Sequence, residues 1–354
     1  MTLIAAFTVN NIPVVLGDIM ISNPVHGGDV ETSMPSVGDV NKYISSHTEL
    51  RVVGLIQKVN LVSEQVCIAW SGSYVHARLF LKYMRSHCKD KRLSLAEYNR
   101  VIDGYPGEDL GDISIISYFH DGHGFGRRYL NAPLFDLDGF SDLQAAGSGT
   151  PAFIQSLGDL AGSRLSGQTS AIADAIRPAM AFTTHAFGSQ IVTGEGVIEG
   201  WGGAFEIAYP ISDRFVKLGD VLHLTWIVHD SERVQIAAEC IPYFVKIVYK
   251  GERMVVFVAD FREDSKGDSL YVVDPVYGID DAPTIEPPTM EYKWLANHFH
   301  FGTGERPCYS RVDYFGSDKR PIVIRLNGRE AIFSFEENYL RKLFDAVTPA
   351  SSGS

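Results

Sequence analysis

The chain is short of cations. Its 31 Lys and Arg face 43 Asp and Glu, for a formal net charge of −12. Binding a phosphate backbone needs a basic face, so this balance argues against a nucleic-acid partner. Cysteine is scarce too. Cys67, Cys88, Cys240 and Cys308 are scattered, with no CxxC pair. They supply neither a disulfide framework nor a zinc site, and they suit a reducing cytoplasm. No apolar run reaches the ~20 residues that cross a bilayer, so no membrane partner is expected. The Met1–Val9 stretch is too short and uncharged for a signal peptide. No internal repeat is present. One glycine-rich segment, His120-Asp121-Gly122-His123-Gly124-Phe125-Gly126, superficially suggests a phosphate loop. It is rejected, because strands flank it on both sides and no helix follows.

What the chain does have is core material. At 45% hydrophobic, 354 residues suffice for two domains or one enlarged one. The opening is the most informative segment. Met1-Thr2-Leu3-Ile4-Ala5-Ala6-Phe7 precedes a polar Asn10-Asn11 turn, then Val14-Val15-Leu16-Gly17-Asp18. Met aminopeptidases clip readily before small residues such as Thr. Loss of Met1 would give Thr2 a hydroxyl and a free α-amine, a nucleophile and a base on one residue. An α-amine titrates near pH 8, so a modest downward shift makes it a usable base at neutral pH. If 3–8 and 13–18 pair as a hairpin, Asp18 returns beside Thr2. Asp18 could equally be an aspartate that ends a strand and starts a turn.

Two later segments fit the same site. Lys58 begins a strand, and a second strand ends at Ala69-Trp70-Ser71-Gly72 before a helix from Tyr74 to about Arg85. Beside Asp18, Lys58 would be a fixed cation that favours alkoxide and depresses the amine. Alternatively it is a solvated edge charge. Backbone N–H groups at the start of the helix, Gly72 among them, could form an oxyanion hole. Gly147-Ser148-Gly149-Thr150-Pro151 precedes a helix over about Ala152–Leu160. Small residues there permit close backbone approach, and Ser148 could bond the Thr2 amine. The plainer alternative is a helix cap, with Thr150 capping and Pro151 at the first helical position.

With these pieces in order, residues 1 to about 209 resemble the N-terminal-nucleophile (Ntn) hydrolases, specifically the proteasome β-subunit and its HslV-type bacterial relatives. The Thr-to-Asp and Lys-to-Gly spacings match the family's. The resemblance implies an α+β fold, a four-layer α/β/β/α sandwich of two antiparallel sheets between helices. It implies Thr2 as nucleophile, Asp18 and Lys58 setting its charge environment, Gly72 N–H in the oxyanion hole and Ser148 on the amine. Relatives assemble into rings, so a homo-oligomer is one expectation. No cofactor and no metal is implied.

The chain departs from the family in three places. Leu3 stands where a second Thr or Ser is usual. Residues of roughly 22–53 are an insertion rich in Gly, Ser, Pro and Asp, read as a long loop beside the site that serves as a lid or a protein-partner surface. Near Glu199-Gly200-Trp201-Gly202-Gly203-Ala204-Phe205-Glu206-Ile207, the family's later Asp is missing, and Glu199 is the nearest substitute.

Further expectations complete the layout. They are helices over Leu93–Asp103 and Thr169–Phe187, the latter tolerating or kinked at Pro178, and a strand over 203–209. Residues 210–349 form a strand-rich C-terminal module whose first strands finish the hydrolase sheets. Its strands are expected at Leu222–Val228, Tyr243–Tyr249, Met254–Ala259, Leu270–Val273 and Pro321–Leu326, with a helix over Glu336–Val347. A linker lies at Asp280–Pro288, and 350–354 form a tail. His298 and His300 would share one strand face, without a third ligand nearby, and read as structural. Three functions stay open: a cytoplasmic N-terminal-threonine hydrolase acting on peptide or other amide bonds, a catalytically inactive scaffold or sensor, and a non-peptide amidase or acylase.

Overall fold

The computed structural model describes residues 2–24, 33–44, 50–107, 110–161, 170–228, 243–261, 267–279, 284–301, 308–316, 320–327 and 330–345. Expectations about Met1, residues 25–32 and 45–49 of the 22–53 insertion, Thr169, Cys240, residues 280–283, the last two residues of the 336–347 helix and the 350–354 tail lie outside the described residues.

The first element is a hairpin whose turn fixes the register of its two strands. Asn10 and Asn11 have φ of 51° and 62°. Two successive positive φ values are what a type I′ turn requires, and Asn tolerates them. Strands β1 (Ile4–Val9) and β2 (Ile12–Asp18) therefore pair with Val9 opposite Ile12 and Ile4 opposite Gly17. The same register carries Leu3 to Asp18, whose N–H donates to Leu3 O at 3.0 Å.

Next come β3 (Met20–Pro24), β4 (Ser33–Met34), β5 (Gly38–Asp39) and β6 (Leu50–Leu55). β3 pairs with β6, and β4 with β5. The insertion is thus more than a loop. Met20, Met34, Val37, Val40 and Val52 form a small core around Val197. Composition hid this, because the paired segments are short and separated by turn-forming residues.

Further elements are β7 (Val59–Ser63), β8 (Val66–Gly72), α1 (Tyr74–Cys88), α2 (Leu95–Asp103), β9 (Ile113–His120) and β10 (Phe125–Leu130). They are followed by β11 (Leu134–Leu137), β12 (Phe140–Ala146), α3 (Thr150–Ala161), α4 (Ala171–Thr193), β13 (Phe205–Ile211) and β14 (Arg214–Lys217). A first sheet has the order β11-β12-β1-β2-β13-β14, and a second the order β10-β9-β8-β7. The first sheet thus runs through position 209 to Lys217. The His120–Gly126 segment closes the β9/β10 hairpin, with Phe125 opposite His120.

Strand periodicity sorts the residues between two cores. Leu3, Ala5 and Phe7 share one cluster with Phe153 of α3 and Ile176 and Phe182 of α4. Their alternates Ile4 and Ala6 pack with Val59, Cys67, Ala69, Ile116 and Tyr118 of the second sheet. On that sheet's other face, Ile68, Trp70 and Ile115 meet Phe80, Leu81 and Met84 of α1 and Tyr98 of α2. Both sheets are therefore covered on both faces by apolar contacts. The fold is α+β.

Beyond residue 217 lies a third sheet made of β15 (Val221–Val228), β16 (Tyr243–Lys250), β17 (Arg253–Asp260), β18 (Ser269–Val273), β19 (Trp294–Phe301) and β20 (Cys308–Tyr314). Its order is β18-β17-β16-β15-β19-β20, and only the β15/β19 pair is parallel. A hairpin of β21 (Ile322–Asn327) and β22 (Glu330–Phe335) and helix α5 (Glu337–Asp345) follow. α4 runs continuously through Pro178, from the Ser170 cap to Gly194 in the left-handed conformation. It is apolar nearly all round because it is buried between two sheets. Val245, Val256 and Trp294 of the third sheet share the cluster that holds Leu3 and Phe182. The C-terminal strands and the N-terminal hairpin therefore share one core.

That shared core contains two neutral imidazoles. His223 stacks on Phe187 of α4 at 5.3 Å, and its Nδ1 is buried without a hydrogen-bond partner among the described residues. Burial pushes it down from 6.5 to about 4. His298 is pushed down to about 3, by burial first and then by His185 and His300. Its Nδ1 lies 2.9 Å from Ser310 Oγ, and its ring covers Gly188. His300 on the same strand is half-buried. An unfolded chain protonates both histidines near pH 6.5, whereas the folded chain does not. Their contribution is thus complete above pH 6.5 and is lost as pH falls toward the folded values. Between pH 6.5 and pH 5, His223 alone should cost about 2 kcal/mol. Urea unfolding at the two pH values measures this loss, and His223→Leu should reduce it by about that amount. An unchanged pH slope in the variant would remove His223 as the cause.

Candidate active site

The hairpin arithmetic brings Thr2 and Asp18 together. Thr2 Oγ1 donates to Asp18 Oδ1 in a short hydrogen bond. Asp18 is fully buried and accepts two main-chain donors as well, Leu3 N–H at 3.1 Å and Gly202 N–H at 2.7 Å. Gly202 reaches it because Gly202 and Gly203 hold φ of 119° and 88°, values that favour glycine. That is the work of the double glycine seen in the sequence.

Lys58 comes from the second sheet, at the start of β7. Its Nζ donates to Thr2 Oγ1 at 2.8 Å and lies 4.7 Å from the centre of the Trp70 ring. Gly17 makes the approach possible, since a Cβ there would meet Lys58 Cβ at 3.0 Å. The Thr2 hydroxyl is thus held between a carboxylate and an ammonium, all three side chains being buried. Burial pushes the Asp18 carboxyl up from its ordinary value, and Lys58, Thr2, Gly202 and Leu3 pull it partly back. Burial pushes the Lys58 ammonium down, against the pull of Asp18 and Glu206. Each member of the pair is easier to neutralise than it would be in water.

Ser148 lies between two residues that touch the Thr2 main chain. Gly149 N–H donates to Thr2 O at 3.2 Å. Gly147 has φ of 102°, and a Cβ on it would lie 2.0 Å from Thr2 O. Ser148 Oγ is itself buried and has no hydrogen-bond partner among the described residues. Gly72 ends β8 with φ of 94°, where a Cβ would meet Asp112 O at 2.2 Å. Two residues earlier on the same strand, Trp70 N–H donates to Lys58 O at 3.1 Å. Gly72 therefore stands at the end of β8 that flanks Lys58. The next amide, Ser73 N–H, is taken by Asp112 O at 3.0 Å.

Glu199 does not join this group. It is exposed, and its carboxylate accepts from Trp201 Nε1 at 2.9 Å. A different carboxylate, Glu206, is fully buried and accepts the Lys58 N–H at 2.7 Å. Lys217 pairs with Glu206. Alternation with Phe205 and Ile207 would put Glu206 on a polar outer face. Here that face is covered by the second sheet, so the signal pointed the wrong way.

Thr2 is only 1% exposed in the chain that carries Met1. Clefts of about 790, 1350 and 920 Å³ lie elsewhere, and Thr2, Asp18 and Lys58 line none of them. Among the described residues no three His, Cys, Asp or Glu side chains are grouped to hold a metal ion. The described cysteines Cys67, Cys88 and Cys308 are free thiols, and burial pushes Cys67 up to about 12. Among the described residues no helix is long and apolar enough to cross a membrane. No family model matches the sequence, and no curated protein matches it.

Proposed function

We propose that this protein is a proteasome-subunit-like N-terminal threonine hydrolase that cleaves peptide or other amide bonds through an acyl-enzyme on Thr2. The observation that carries the reading is the placement of Lys58 Nζ and the Asp18 carboxylate on the Thr2 hydroxyl in a buried site. Thr2 Oγ attacks the substrate carbonyl, and its proton passes to the freed Thr2 amine. The Lys58 ammonium favours the alkoxide, and Asp18 balances that cation. Gly72 N–H would receive the oxyanion. The carbon–nitrogen bond breaks as the amine proton moves to the leaving nitrogen. Water then adds to the ester and releases the acid, restoring Thr2. Ser148 Oγ, without a partner among the described residues, would bond the amine once it exists.

The fold proposed with this reading is the four-layer Ntn sandwich. The apolar contacts of α3 and α4 with the first sheet, of the first sheet with the second, and of the second with α1 and α2 support that order. The hydrolase unit would end after β14, followed by the C-terminal module. A homo-oligomer and a protein partner at the 22–53 insertion belong to the same reading. So does a cytoplasmic location, which the scattered cysteines suit.

Chemistry requires cleavage of the Met1–Thr2 bond, which frees the amine and removes a residue bonded directly to the buried Thr2. Intact mass of the natively expressed protein should show Met1 gone. Complete retention would rule out an N-terminal nucleophile in that form. A catalytically inactive scaffold or sensor would then lead, a reading favoured by the 1% exposure of Thr2. A panel of peptides and small acyl amides separates a peptidase from an amidase or acylase.

A further inference from the structure

Four charges alternate in sign between the first two sheets: Asp18, Lys58 and Glu206, which are buried, and Lys217, which is half-buried. The hydrolase chemistry uses only the first two. The outer pair is attached to the main chain instead. β7 is the edge strand of the second sheet, and an edge strand leaves amide groups unpaired. Glu206 fills that vacancy at the start of β7. Its Oε2 accepts Lys58 N–H at 2.7 Å and Val59 N–H at 3.1 Å. Lys217 Nζ donates to Glu206 Oε1, to Val59 O, and to Gln57 Oε1 at 3.3 Å. Both side chains come from β13 and β14 of the first sheet, the sheet that carries Thr2.

On the basis of the hydrolase reading, we propose that Glu206 and Lys217 are positioning residues that fix the main chain of 57–59 so that Lys58 Nζ meets the Thr2 hydroxyl. Stability alone is a poor reason for burying such a pair. Two charges leave water to form it, and an apolar pair of equal volume often does as well or better. An apolar pair would, however, leave the amides of Lys58 and Val59 without acceptors. Misplacing a reacting group by about 1 Å can cost a hundredfold in rate. A carboxylate with one oxygen on the amides and the other on Lys217 holds the strand start against such a shift.

Among the described residues, the charged groups around Lys58 are Asp18 from β2, Glu206 from β13 and Lys217 from β14, with the Tyr249 ring of β16 5.4 Å from Lys217 Nζ. The test uses the whole chain with a free Thr2 amine. It compares wild type with Glu206→Ala, the isosteric Glu206→Gln, and the double variant Glu206→Gln/Lys217→Met. Two readouts are taken: kcat and KM on an amide substrate, and the pH titration of Lys58 Cε by carbon-13 NMR without substrate. Glu206→Ala should lower kcat by about a hundredfold with KM little changed. In Glu206→Gln the Lys58 titration should move to lower pH, because a nearby negative charge is gone while Lys217 remains. The double variant, which offers an acceptor oxygen without an unpaired cation, should recover most of kcat. A folded Glu206→Gln protein with wild-type kcat and wild-type Lys58 titration would overturn the positioning role. Should Glu206→Ala fail to fold, the Gln variants still decide. Absence of turnover in wild type would count against the hydrolase reading. The amide chemical shifts of Lys58 and Val59 in the Glu206 variants would then decide the pair, and unchanged shifts would overturn the positioning role.

Discussion

Thr2→Ala, in the chain with its N-terminal amine freed, is expected to abolish amide hydrolysis, a loss of at least about 10⁴-fold, while the protein stays folded. The nucleophile is a single oxygen, and no other described hydroxyl contacts both Asp18 and Lys58. Its removal costs two buried hydrogen bonds, about 1–3 kcal/mol against a typical total of about 5–15 kcal/mol. The groups left behind keep one another: Asp18 retains Leu3 N–H and Gly202 N–H, and Lys58 retains the opposite charge. Thr2→Ser keeps the hydroxyl and should keep turnover. Steady-state kinetics beside a thermal melt separate the two effects. Equal activity in Thr2→Ala would remove Thr2 as nucleophile.

The proximity of Thr2 and Asp18 could be read in the sequence because it is local. An Asn-Asn turn and two alternating runs set a register, and the register alone carries residue 3 to residue 18. Lys58 is a different case. It lies beyond the insertion, and only the resemblance in spacing pointed to it. No local rule carries a register across 22–53. Gly202 was visible as part of a double glycine, but its role as a donor to Asp18 depends on a loop conformation that no periodicity encodes. Glu206 and Lys217 were hidden for a physical reason. A charge alternating with apolar residues normally marks the solvent face of a sheet, and here both faces are covered. The third sheet's sharing of the α4 core was also hidden. Individual strands such as 254–259 were evident, but which face of a buried helix they meet is set by tertiary packing.

Lys58→Met should lower turnover by about 10²–10³-fold, the usual cost of removing one preorganised group that stabilises developing charge. The fall should be in kcat, since Lys58 Nζ touches the nucleophile. Folding suffers as well, because Asp18 loses its buried counter-charge, at a cost of about 3–5 kcal/mol. The pH dependence of that cost follows from sign. Burial already raises the Asp18 carboxyl above its ordinary value of 3.8, and losing Lys58 removes the largest opposing influence. The folded variant then holds a proton that the unfolded chain releases. Its stability is greatest at low pH and is lost as pH rises from about 4 through the raised folded value. Urea unfolding of Lys58→Met should therefore show a smaller deficit, relative to wild type, at pH 5 than at pH 7. Kinetics on the folded fraction then isolate chemistry from stability. A rate within about threefold of wild type, well short of the loss expected for such a group, would mean that Lys58 only balances Asp18. The proton and charge would then be handled at Thr2 by its own amine alone.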